Sequence, residues 1–144
     1  LLLRVNTIRA IATGLGARLL LATLPAADDP ARIRAQVSRA ANQLARERFD
    51  FASVFEWLLR ADLAAVQPAI SEERVAECLR RAIELADTMD MGLHLAAARH
   101  YLGGLVGGDE GKALRAEAAT WAATEEVANP ERLFAVVAPG CSAV

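Results

Sequence analysis

Apolar residues return along most of this chain at intervals of three and four, the spacing that gathers them on one side of an α-helix. Between Asp29 and Asp50 the stripe is Ile33, Val37, Ala41 and Leu44, with Arg32, Arg34, Arg39 and Arg46 outside it or at its edges. Asp29 is placed to cap this helix and Pro30 to open it, where a missing N–H costs nothing. Phe51, Val54, Phe55, Leu58, Leu59 and Val66 predict a third helix with a wider apolar face, stopped before Pro68. A fourth starts at Ser71 with Glu72 and Glu73 in its first turn, and buries Val75, Leu79, Ala82, Ala86 and Met89; Glu77 and Arg81 are expected to pair on its exposed side. The segment MGLHLAAARHYLGGLV is apolar on more than one side, as suits a helix held between neighbours, and Gly103 with Gly104 marks either its fraying end or a close approach. DEGKALRAEAATWAATEE follows with Leu114, Ala118 and Trp121 in line, and Asn129 with Pro130 repeats the cap-plus-proline signal before a short last helix.

The predicted starts near residues 30, 51, 72, 91, 109 and 130 are about 20 residues apart, so that pairs recur at about 40. Short-looped antiparallel hairpins of this kind predict an all-α fold. It is expected to be a TPR-like α-α superhelix, or solenoid, closed by a short C-terminal capping helix, with a compact bundle as the competing architecture. The expected divisions are 1–28, a helix belonging to a preceding repeat, 29–140, the repeat domain, and 141–144, a tail. The first of these opens on apolar residues at Leu1 with neither a cap nor an initiating methionine.

Composition agrees with helix: alanine exceeds a fifth of the 144 residues and aromatics are 5%. The opening LLLRVNTIRAIATGLGARLLLATL is apolar, but Arg4, Asn6, Arg9 and Arg18 interrupt it short of the roughly 20 uninterrupted residues of a membrane span. A formal charge of -2 gives no net pull toward nucleic acid or acidic membrane, and no aromatics are interleaved with the arginines to stack on bases. No nucleic-acid or membrane partner is expected, therefore. Cys78 and Cys141 are far apart and lack CxxC spacing, which implies neither a disulfide framework nor zinc and fits a reducing cytoplasm.

The stretch LVGGDEGKAL, residues 105–114, is where active-site chemistry is most to be looked for. A phosphate-binding loop needs four residues between its glycines and a hydroxyl after its lysine, whereas Gly107 and Gly111 enclose three and Ala113 follows Lys112. GGDEG is also similar to the GGDEF signature of diguanylate cyclases, but that signature lies between strands and both flanks here are helical. The reading is a corner in which Gly107 and Gly108 supply positive φ and Asp109 with Glu110 begins the next helix. His94 and His100, six apart, lie too far round a helix to share a metal ion. Cys78 is expected in the core and Cys141 in a tail that frays and leaves it open to reaction. Trp57 and Trp121 are expected to fill seams between helices. Ser38, Ser53, Ser71 and Ser142 have no His and Asp at motif spacing, and no kinase element occurs, so no catalytic residue, cofactor or metal ligand is expected in this chain. One charge cluster stands out: Arg32, Arg39 and Arg46, spaced by seven, share a face that is either a dock for a phosphate or acidic helix or a solvated exterior.

Four pieces in order, DMGLHLAAARHYLG, GGDEGKAL, AEAATW and NPERLFAVVAPG, carry a resemblance that extends more weakly back through PARIRAQVSRAANQLARERFDFASVFEWLLRADLAA, over residues 30 to 140 or so. The chain resembles the C-terminal region of large bacterial signalling proteins that join a serine/threonine kinase domain, an AAA-type ATPase region and a tail of tetratricopeptide-like repeats. The resemblance implies a non-catalytic interaction and regulatory module at the end of a cytoplasmic kinase, whose partner is a protein, a peptide or another domain of the parent. The alternative is the sensor helical domain of an ATP-dependent, AAA- or STAND-type transcriptional activator, whose repeats look alike.

Overall fold

The computed structural model describes residues 2–47 and 49–143, and it is helical throughout with no strand among the described residues. Seven helices follow one another: α1 (Leu2–Thr23), α2 (Pro30–Arg46), α3 (Asp50–Ala65), α4 (Glu72–Thr88), α5 (Gly92–Val106), α6 (Gly108–Thr124) and α7 (Pro130–Val137), with single 3-10 turns at Leu24–Ala26 and Cys141–Ala143.

Three caps do as the sequence predicts. The side chains of Asp29, Ser71 and Asn129 accept the backbone N–H of the residue three places on, at 2.9, 3.3 and 3.0 Å. Pro30 and Pro130 occupy the first turn beside two of them. Replacing Asp29 or Asn129 by alanine is expected to lower stability by about 1 kcal/mol in urea denaturation, each acting on its own helix.

Each helix packs on its neighbour in sequence through α6, and α7 returns to lie on α5. The middle helix, α3, feeds two cores. Its Val54, Leu58 and Ala61 join Leu79, Ala97, Leu102 and Phe134 in one. Its Ala52, Phe55 and Leu59 join Leu21, Val37 and Leu44 in the other. Removing any of these fully enclosed leucines to alanine forfeits both transfer energy and packing.

The corners repeat. Helices α4 and α6 both end with a residue of positive φ, Asp90 (53°) and Glu126 (54°). In each the next amide reaches back five residues, Met91 N–H to the Ala86 carbonyl and Val127 N–H to the Ala122 carbonyl, both at 2.9 Å. These are Schellman closures built without glycine. They stand 36 residues apart, as do the starts of α4 and α6.

Between α5 and α6 the glycines take two roles. Gly107 (φ 62°) and Gly108 (φ 58°) make the predicted corner, with Asp109 and Glu110 in the first turn of α6. Gly103 is not a fraying end: a methyl there would sit 2.7 Å from the carbonyl oxygen of Gly111, so the two backbones touch. Trp121 and Trp57 are half-buried against the first core, and Trp121 lies so close over the start of α5 that a methyl on Gly92 would meet its Nε1 at 2.6 Å. The predicted Glu77–Arg81 pair does not form. Arg74 takes Glu77 and Arg81 takes Glu84, each three residues apart and exposed, which adds little to stability.

Candidate functional site

Three places have the makings of a site. The first is the outer face of α2. Arg32, Arg39 and Arg46 all lie exposed on it, while Val37, Ala41 and Leu44 on the opposite side are buried. None of the three guanidinium groups enters an ion pair among the described residues. They form a row of solvated cations about two helical turns apart, free to meet carboxylates or phosphate without first breaking an internal contact.

The second is a polar cluster that sequence reasoning missed, at the meeting of α1, α3, α5 and the C-terminal turn. Asp62 of α3 is completely enclosed, and its Oδ1 accepts the backbone N–H of Cys141 at 3.0 Å. Its other oxygen, Oδ2, has no protein partner among the described residues. Burial pushes the Asp62 carboxyl up to about 7, with the Cys141 amide and the charge of Arg18 restraining the rise. Arg18 of α1 is buried too. Its guanidinium lies over the Phe55 ring at 5.3 Å, and its Nε and Nη2 donate to no protein group among the described residues. Beside it, the His94 ring packs on Phe55 with centroids 5.2 Å apart. Burial, with Arg18 adding to it, lowers His94 to about 4, so this imidazole is neutral at physiological pH.

Cys141 differs from its expected place. It is 5% exposed, and its thiol is pushed well up, by burial first and by the nearby Asp62 second, so it is neither frayed nor activated. The turn seats there because Gly140 rests directly on the Asp62 backbone and the carboxylate caps the turn behind it. Cys78 lies in the core as expected, fully enclosed. A signal for Asp62 does exist in the sequence, since it stands three residues after Leu59 and three before Ala65 on the apolar stripe of α3, where an acid has no solvated position to occupy.

The third place is a pocket of 340 Å³ between α4, α5 and α6, lined by Glu72, Leu79, His100, Tyr101 and Arg115 and closed on one side by Cys141 and Ser142. Its lining mixes both charges with aromatic edges. His100 is tied into the wall by ring contacts to Tyr101 and Phe134, at 5.1 and 5.2 Å between centroids. Burial raises the Tyr101 phenol and lowers His100, which leaves both neutral near pH 7.

Around Gly107 there are helices on both sides, and Lys112 is turned to Asp109 at 3.4 Å. No group of three His, Cys, Asp or Glu side chains is arranged to hold a metal ion among the described residues. No family model, curated protein or solved structure matches the chain.

Proposed function

We propose that this chain is a TPR-like helical-repeat module, a recognition and regulatory segment of a cytoplasmic bacterial serine/threonine kinase. In this reading it binds an acidic helical segment of a partner protein, or of another domain of its parent, through Arg32, Arg39 and Arg46. The observation that carries the repeat reading is the recurrence of one corner, Asp90 and Glu126 with their five-residue closures, after two helices of 17 residues each whose starts are 36 residues apart. The corner and the 17-residue helix before it recur, the kind of repetition by which solenoids extend, although α5 lies on α4 while α7 lies on α5. The kinase context comes from the sequence resemblance.

Recognition by the α2 face follows from its chemistry. Three guanidinium groups seven residues apart match an acidic helix laid along α2, and binding would depend on a few of these contacts more than on total area. Titrating a fluorescein-labelled, glutamate-rich helical peptide by anisotropy tests it. Arg39→Glu combined with Arg46→Glu is expected to weaken binding at least tenfold and to flatten its salt dependence, with the far-ultraviolet circular dichroism unchanged. Equal binding by the double variant would remove the basic face from the proposal. The pocket beside Tyr101 supports a second reading, the sensor domain of a transcriptional activator, because 340 Å³ lies at the lower end of the range for small-molecule sites.

A further inference from the structure

The pocket between α4, α5 and α6 carries two opposite charges that do not neutralise one another. Glu72, in the first turn of α4, and Arg115, midway along α6, both line it. Neither enters an ion pair among the described residues, with the other or with any third group. Arg115 is seated by the glycines of α5. A methyl on Gly103 would come within 2.9 Å of the Arg115 Cγ, and a side chain on Gly104 would begin 3.5 Å from its Nη2, so the bare backbone there is what the arginine stem lies on. The two hydroxyls differ in the same sense. The Tyr101 phenol is held protonated by burial and brings a hydrogen to donate. The Ser142 hydroxyl already donates to the Pro139 carbonyl at 2.7 Å, which leaves its lone pairs to accept. His100 is lowered, by burial first and by Arg115 second, and adds no further charge near pH 7. Val75, Leu79 and Leu105 complete the lining with aliphatic surface.

We infer that this pocket binds a free α-amino acid with an apolar side chain, its carboxylate on Arg115 and Tyr101, its ammonium on Glu72 and Ser142, and its side chain against Val75, Leu79 and Leu105. This gives a ligand class to the sensor reading of the pocket and rests on that reading; the α2 face takes no part in it. A simple anion would face Glu72, a simple cation would face Arg115, and an uncharged molecule would desolvate both without a partner for either. Only a molecule with both charges satisfies the two walls at once. In a free amino acid those charges sit on one carbon, within reach of both sides of a 340 Å³ pocket, whereas a peptide separates them by its length.

The larger hollow along α4, of 720 Å³, is also lined by charges, but there Arg74 holds Glu77 and Arg81 holds Glu84. A ligand entering it would first have to part those pairs. In the smaller pocket the opposite charges stand ready and apart.

Isothermal titration calorimetry of the 144-residue chain with L-phenylalanine, L-leucine, 3-phenylpropanoate and phenethylamine tests the inference. The two amino acids are expected to bind with a Kd on the order of 100 µM, and the two compounds that lack one charge at least tenfold more weakly. Glu72→Gln should weaken L-phenylalanine at least tenfold without weakening 3-phenylpropanoate. Arg115→Gln should weaken L-phenylalanine as much without weakening phenethylamine. Both side chains are exposed, so the circular dichroism of each variant should match the parent's. If either singly charged compound binds as tightly as L-phenylalanine, or if both variants bind L-phenylalanine as the parent does, the amino-acid ligand is overturned while a small-molecule pocket stands. Binding by none of the four would overturn it and take the sensor reading with it.

Discussion

Gly140→Ala is expected to expel the C-terminal turn and open Cys141 to solvent. The added methyl would lie 2.6 Å from the carbonyl oxygen of Asp62 and 2.8 Å from its Cα and Cβ, all atoms of a buried helix held by two cores. Helix α3 cannot retreat without opening both, so the turn must give way. That forfeits the Cys141–Asp62 hydrogen bond and the burial of Cys141, a loss of about 2 kcal/mol. The clearest readout is the thiol. In the parent both cysteines are buried and 5,5′-dithiobis(2-nitrobenzoate) should react slowly. In the variant one thiol per chain should react at least tenfold faster under native conditions, while Cys78 stays protected in the core. If Gly140→Ala protects Cys141 as well as the parent does, the turn does not rest on Asp62 as described.

The second large effect is on the pH dependence of stability, where Asp62 and His94 act in opposite senses. Asp62 has its carboxyl raised from 3.8 to about 7 in the folded chain. Between those values the folded state keeps the proton and the unfolded state has lost it, so stability from this group is full below pH 3.8 and is lost as pH rises toward 7. His94 is lowered from 6.5 to about 4. Here the unfolded state binds the proton and the folded state does not, so stability rises with pH across that window.

In the parent the two slopes largely cancel between pH 4 and 6.5. Asp62→Asn should uncover the His94 slope, with urea midpoints climbing through this range and then levelling. His94→Phe, which keeps the ring against Phe55, should uncover the Asp62 slope, with midpoints falling until about pH 7. At 1.36 kcal/mol per pKa unit the Asp62 contribution is on the order of 4 kcal/mol, large beside the total stability of a domain this size. Groups outside this cluster act equally in both variants, so the divergence between the two profiles isolates it. Parallel profiles would show that the pair does not titrate against its burial.

The two effects are linked through one object. When the turn is expelled in Gly140→Ala, water reaches Asp62 and its carboxyl should fall back toward the ordinary range, so the variant's profile should lose the downward slope that His94→Phe displays. The C-terminal turn is thus both the lid over a buried charge and the part of the fold that depends on it.

Helix positions, caps and the glycine corner were legible because each depends on residues within a turn or two of one another. Asp29, Ser71 and Asn129 announce themselves by chemistry that needs only the next three amides, and Gly107 and Gly108 by a backbone angle that other residues resist. The Schellman corners at Asp90 and Glu126 escaped notice because the residues there are not glycine, so composition did not mark the positive φ that packing imposes. The exposed arginine row of α2 was equally readable, since a spacing of seven places side chains on one face whatever the helix packs against.

What the sequence by itself determined, then, is the set of local elements: seven helices, three of their caps, the glycine corner and the apolar stripes of α2, α3 and α4, save Met89, which was expected buried and lies exposed. Only the tertiary structure decided which apolar sides meet, and with that the environment of every polar residue lying on them. Asp62 reads in sequence as one acid in a helix, and it becomes a buried carboxyl of altered affinity for protons only because Cys141, 79 positions further on, returns to cover it. Arg18, His94 and the touching backbones of Gly103 and Gly111 belong to the same class. Their properties come from desolvation and close contact, which depend on distance in space and leave no periodic mark along the chain.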